Sequence, residues 1–220
     1  MFERALHGKE MALGRDNISA LDTVNSLGLL YADIGRLEEA EKMYQRALQG
    51  YEKALGSDHP STLSAVNNLG LLYADIGRLE EAEKMYEKAL QGCEEALEPD
   101  HPFTLTSMAN LASTYRNQGR WDDAEKLEVQ VMETSKTKLG VDHPDTLTSM
   151  ANLASTYWNQ GQWEDAEKLF VQVMETRKTK LGVGHPDTLT SMNNLAFTWK
   201  AQGRSADAIV LMSQCVQQRQ

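Results

Sequence analysis

The sequence predicts an all-α fold, a right-handed superhelical array of five helix-turn-helix repeats preceded by half a repeat. Three observations carry this: a 42-residue period, two apolar stripes of helical spacing within each period, and turn residues recurring between the stripes. Glycine stands at 35, 77, 119, 161 and 203, and the His of a His-Pro pair at 59, 101, 143 and 185, each series stepping by 42. Residues 103–144 and 145–186 agree at 35 of 42 positions, and 19–60 agree with 61–102 at 32 of 42. Copies this similar imply a modular array in which each unit buries its apolar sides on its neighbours.

The elements follow in order. A lone helix from about Phe2 to Leu13 fills the half-repeat, residues 1–14, and leads us to expect a chain that starts mid-repeat, as a fragment of something longer. Repeats 19–60, 61–102, 103–144, 145–186 and 187–220 follow, and the whole of 1–220 reads as one solenoid domain. In the second repeat Leu63, Val66, Leu69, Leu72 and Tyr73 give a stripe on one helix, A. After Gly77, Leu79, Ala82, Met85, Tyr86, Ala89, Leu90 and Leu97 give a second stripe on a longer helix, B. Gly77 suits a left-handed C-terminal cap, and Gly56, Gly140 and Gly182 should end B helices the same way. The second repeat has Leu97-Glu98-Pro99 there and relies on its proline.

The punctuation also explains the histidines. Proline at the first helical position gives up a donor that would be unpaired anyway, so Pro60, Pro102, Pro144 and Pro186 mark the start of helix A, with His at the N-cap. In the first repeat Asn17-Ile18 takes that place. A metal array would need several ligands converging on one ion, and each His lacks a Cys, His or paired carboxylate at ligand spacing, so no metal or other cofactor is expected. The acidic runs LEEAEKM, WDDAEKL and WEDAEKL open helix B, where carboxylates meet the positive end of the helix dipole and pair with Lys at i, i+4. No phosphate-binding loop, dinucleotide fingerprint, nucleophile elbow or HExxH is present, so the chain is not expected to be an enzyme.

Composition narrows the partners. The hydrophobic content is 41%, the charged content 25% and the net charge −10, without basic clusters. That balance argues against nucleic acid or anionic membrane and for protein partners. Cys93 and Cys215 lie outside any CxxC pattern, and no leader or membrane-length apolar run is visible, so a cytoplasmic location is expected.

Residues 66–90, VNNLGLLYADIGRLEEAEKMYEKAL, resemble the tetratricopeptide repeat through Leu69-Gly70, Tyr73, Ala82, Tyr86 and Ala89. The 42-residue length and the HPxTL opening resemble the kinesin light chain variant, also found in fungal and bacterial NLR-type signalling proteins. The resemblance implies helix A on the inside of a superhelix and a protein or peptide ligand in its concave groove. It also implies that Asn68, Asn110, Asn152 and Asn194 clamp the main chain of an extended peptide, each amide offering both donor and acceptor. The alternative is that each Asn bonds a neighbouring helix. Selectivity would come from inner positions that vary: the row Ala32, Ala74, Arg116, Trp158, Lys200 and the row Leu29, Leu71, Ser113, Ser155, Phe197. Arg116 and Lys200 would receive an acidic group while Trp158 supplies an aromatic platform; drift at tolerant positions is the other reading.

Two readings of role stand side by side: a peptide-binding adaptor, and the sensing or self-associating region of a larger NLR-type ATPase. End-to-end association into filaments is a third. Within the hairpins, Gly28, Gly70, Ala112, Ala154 and Ala196 are expected to face Ala40, Ala82, Ala124, Ala166 and Ala208. Glu128 breaks the pattern, occupying a slot that Tyr44, Tyr86, Phe170 and Met212 fill elsewhere; a buried carboxylate there needs water or a partner.

Overall fold

The structure, a computed structural model, describes residues 2–217, with side chains from residue 4. Helix A of each repeat becomes α2 (Ile18–Asp33), α4 (Pro60–Asp75), α6 (Pro102–Asn117), α8 (Pro144–Asn159) and α10 (Pro186–Ala201). Helix B becomes α3 (Leu37–Leu55), α5 (Leu79–Ala96), α7 (Trp121–Leu139), α9 (Trp163–Leu181) and α11 (Ser205–Gln217), and the leading half-repeat is α1 (Phe2–Leu13). The described residues contain no strand. The chain divides into two compact units, Met1–Gln118 and Gly119–Gln220. In the first, α1 to α6 pack each on the next; in the second, α7 to α11 do the same.

The helix boundaries have local causes. Each of His59, His101, His143 and His185 sits in extended backbone and accepts, through Nδ1, the N–H two residues on, at 3.1–3.2 Å. This satisfies one of the donors a helix start leaves open. Asn17 Oδ1 does the same for Ser19 at 2.9 Å. At the other end Gly56, Gly140 and Gly182 have φ of 96°, 92° and 93°, and α5, lacking such a glycine, stops at an extended Leu97 ahead of Pro99. At φ near +90° a Cβ is strained although nothing else lies within 4 Å of Gly182. Gly182→Ala is therefore expected to cost about 1–2 kcal/mol, read as a lower urea midpoint with unchanged helical circular dichroism in the native state.

The stripes bury as their spacing requires. Leu63, Val66, Leu69, Leu72 and Tyr73 of α4 are all buried, as are Ala82, Tyr86 and Ala89 of α5. The nearest neighbours of the small residues on helix A include the aromatic ring of helix B. A Cβ at Gly28 would lie 2.6 Å from the Tyr44 ring, and one at Gly70 would lie 2.7 Å from the Tyr86 ring. The close approach is between a backbone and a flat aromatic face, four residues further along helix B than the paired alanine. Where helix A carries Ala154, helix B offers Phe170 in the same buried cluster.

A second set of contacts ties each helix B to the following helix A. The Glu41 carboxylate accepts from the Tyr73 hydroxyl at 2.8 Å and from Arg78 at 3.1 Å. Glu83 accepts from Gln118 at 2.7 Å, and Glu125 accepts from Gln160 at 2.8 Å. Glu167 accepts from Trp199 Nε1 at 2.6 Å, Gln202 at 2.8 Å and Arg204 at 2.8 Å. These four carboxylates stand 42 residues apart inside the acidic runs, so that one residue of each run has a structural partner beyond the helix dipole.

Candidate functional site

The A helices present the residues of interest, and the two units use them differently. In the first unit the ladder asparagines are engaged with one another: Asn68 Nδ2 donates to Asn25 Oδ1 at 3.3 Å, and Asn110 Nδ2 donates to Asn67 Oδ1 at 2.9 Å. Each bond joins neighbouring A helices through a residue 43 positions upstream. Ser113 and Arg116 lie on α6, half-buried, with the guanidinium 3.4 Å from the hydroxyl. The register that varies between repeats holds exposed Leu29 and Leu71 here.

In the second unit the residue 43 positions before Asn194 is Ala151, which cannot accept a side-chain hydrogen bond. Among the described residues no hydrogen bond holds the half-buried Asn194 side-chain amide, and the Thr198 hydroxyl donates to the Asn194 backbone carbonyl at 2.9 Å. Asn152 lies in the same register on α8, half-buried. Around Asn194 a pocket of about 240 Å³ opens between α8 and α10, lined by Ser155, Trp158, Asn159, Asn194 and Phe197 over Phe170 of α9. Trp158 and Phe197 are 40% and 56% exposed, whereas Phe170 is buried. Ser155 spends its proton on the Ala151 carbonyl at 2.8 Å, so its oxygen faces the pocket as an acceptor. The structure thus brings together Ser155, Trp158 and Asn194 from the expected set, and adds Asn159, Phe170 and Phe197 as lining. Lys200 is exposed one turn beyond Phe197 and lines a different cavity, of about 730 Å³, between α10 and α11.

The rest of the chain offers little reactive chemistry. Among the described residues no group of three His, Cys, Asp or Glu could hold a metal ion, and no helix is long and apolar enough to cross a membrane. Cys93 and Cys215 are buried, and burial pushes the Cys93 thiol above its usual pKa, away from the reactive thiolate. Glu128 is 3% exposed and not without a partner. Its charge also adds to the burial and the carboxylates of Glu125 and Asp165 that push the Tyr157 phenol upwards.

The family described as tetratricopeptide repeat matches residues 19–94 and 64–137 in one form and 146–187 and 188–219 in another. The chain belongs to the tetratricopeptide repeat family. Among solved structures, a Podosopora anserina protein of nearly identical TPR-like repeats, named for the kinesin light chain, is 29% identical. It has a TM-score of 0.81 over 92% of this chain and 96% of that one. BtubC (BKLC) from P. vanneervenii has a TM-score of 0.81 at 20% identity, covering 99% of this chain and 86% of its own. YrrB, described as a TPR protein with an unusual peptide-binding site, has a TM-score of 0.59 at 16% identity, covering 99% and 92%. Curated protein sequences contain no match. Tyr44 and Tyr86 meet the glycines of the first two repeats, whereas the exposed Trp158–Phe197 pair is particular to the second unit.

Proposed function

We propose that this chain is a protein-interaction scaffold without catalytic activity, and that it takes an extended peptide across the A-helix face of its second unit. The observation that carries the reading is the unengaged Asn194 amide beside two exposed aromatic side chains. A carboxamide offers a donor and an acceptor at the spacing of a peptide unit, so Asn194 holds main chain. Trp158 and Phe197 then flank one bulky side chain, with Phe170 as the floor and the Ser155 oxygen receiving a further N–H. A volume of about 240 Å³ is below the roughly 300–1,000 Å³ of sites for whole small molecules, which favours a single residue of a longer ligand. The exposed ammonium of Lys200, one turn away, favours an acidic neighbour on that ligand. Asn152, in the same register on α8, would contribute a further contact to the main chain. The bonds of Asn68 to Asn25 and of Asn110 to Asn67 give the first unit's asparagines a structural role first, with Ser113 and Arg116 as a secondary contact surface. The likeness to YrrB, which is described as having a peptide-binding site, is in keeping with the proposal.

Peptide-display selection followed by calorimetry with the selected peptide tests it. Trp158→Ala and Phe197→Ala are each expected to weaken binding about tenfold or more, as removal of a central aromatic contact costs roughly 1–2 kcal/mol or more. Asn194→Ala should weaken it several-fold and Asn110→Ala should leave it nearly unchanged. Equal dissociation constants for wild type and the Trp158→Ala/Phe197→Ala double variant would overturn the assignment.

A further inference from the structure

Helix α11 departs from every other helix B. The segments LEEAEKM, LEEAEKM, WDDAEKL and WEDAEKL that open α3, α5, α7 and α9 become SADAIVL in α11. Glu41, Glu83, Glu125 and Glu167 have Ile209 as their counterpart, and the lysines beside them have Val210. The change is one of surface, because Ile209, Val210 and Val216 are 65%, 58% and 58% exposed. Ile209, Met212 and Val216 fall at i, i+3 and i+7, a seam of the spacing used between paired helices, with the small Ser213 beside it. Together with Phe197 they line the cavity of about 730 Å³ between α10 and α11.

The repeat-to-repeat contact identifies the geometry of this groove. In the same unit the equivalent ridge of α9, Phe170 with partly buried Val171 and Met174, packs in one cluster with Leu189, Met192 and Leu195 of α10, so the α10/α11 groove continues an interface built to receive a helix. A further helix A of the kind in this chain would bring a Tyr or Trp, a Gln and an Arg seeking the carboxylate that Ile209 has replaced. It would leave those donors without their acceptor at a cost. The surface instead suits a helix that is itself apolar at this register, and α11 is such a helix. The net charge of −10 opposes any approach of two copies, and this face adds least to that repulsion, Lys200 being the one charged residue lining the groove among the described residues.

We infer that the α10/α11 face binds a second copy of itself about a two-fold axis, the Ile209–Met212–Val216 ridge of each α11 lying in the groove of the other. The contact is mainly apolar, so raising salt should strengthen it by screening the acidic remainder of the two chains. The inference does not rest on the peptide reading, but Phe197 lines both cavities and Lys200 lies in this one, so self-association is measured without peptide.

Sedimentation velocity on the 220-residue chain at concentrations from micromolar to hundreds of micromolar is the test. Wild type should pass from monomer to dimer in this range, and at lower concentration in high salt than in low salt. Ile209→Glu/Val210→Lys, which installs the residues that α9 carries at this register, should remain monomeric throughout with unchanged thermal unfolding. A Ser213→Cys variant under mild oxidation should give a crosslinked dimer. A wild type that stays monomeric, a double variant that dimerises equally, or a dimer crosslinked by Met11→Cys mixed with Ser213→Cys but not by Ser213→Cys alone would overturn the inference. So would a monomer that takes up an amphipathic helical peptide on this face instead.

Discussion

Gly70→Val is expected to destabilise the first unit by about 2–4 kcal/mol, a large effect for so small an added side chain. The reason is the absence of slack. An ideal Cβ at position 70 falls 2.7 Å from Cε1 and 3.0 Å from Cζ of Tyr86, and that ring is itself 1% exposed with nowhere to retreat. Close-packed interiors transmit such a clash into the backbone, here by prising α4 from α5. Gly70→Ala is the informative milder case. Its overpacking is offset by about 1 kcal/mol of helix propensity, because a mid-helix glycine costs that much relative to alanine. Alanine already occupies the register at 154 in the same cluster as Phe170, so Gly70→Ala should be far less damaging than Gly70→Val. Urea unfolding followed by circular dichroism measures both variants, and a Gly70→Val midpoint within error of wild type would refute the close approach.

The second large effect is a pH dependence centred on Glu167. Burial pushes its carboxyl up, but hydrogen bonds from Gln202, Trp199 and Arg204 together with the Arg204 charge outweigh burial, and its pKa lies below the usual 4.5. A carboxyl depressed in the folded state contributes stability that is fully present above its unfolded pKa and is lost as pH falls through the folded one. Between about pH 5 and pH 3 the stability of the second unit should therefore fall more steeply in wild type than in Glu167→Gln. At neutral pH that substitution should cost about 1–2 kcal/mol, the range for charge-assisted hydrogen bonds at a partly exposed site. Chemical denaturation at closely spaced pH values reads the difference between the two proteins, which removes the titration of the other carboxylates common to both. Parallel curves would show that the tie contributes nothing.

Much of the architecture is legible in the residues because its determinants are local. A glycine that must adopt positive φ, a proline that must start a helix and an imidazole that caps it each act within about one helical turn, so Gly77 and His59-Pro60 place helix ends without reference to the rest of the fold. What depends on the angle at which two helices cross is harder to read. The spacing sets Gly70 towards Ala82, but it does not reveal that the Tyr86 ring lies 2.7 Å from where a Cβ of residue 70 would stand. The ladder of asparagines shows the same limit: the repeat treats Asn110 and Asn194 alike, yet Asn110 is held by Asn67, and Asn194 is left open by Ala151. The signal is an Asn-to-Ala change 43 positions upstream, in an adjacent repeat. The ties of Glu41, Glu83, Glu125 and Glu167 are hidden by the neighbouring acids, which answer to the helix dipole and conceal the one carboxylate with a distant partner.

The caps recur at the same step as the packing contacts. Loss or gain of a 42-residue block between the most similar copies, 103–144 and 145–186, leaves the His-Pro, Gly and Glu of the neighbouring repeats with their counterparts. Removing or adding one internal block of 42 residues should therefore change the length of the array with little folding penalty at the join.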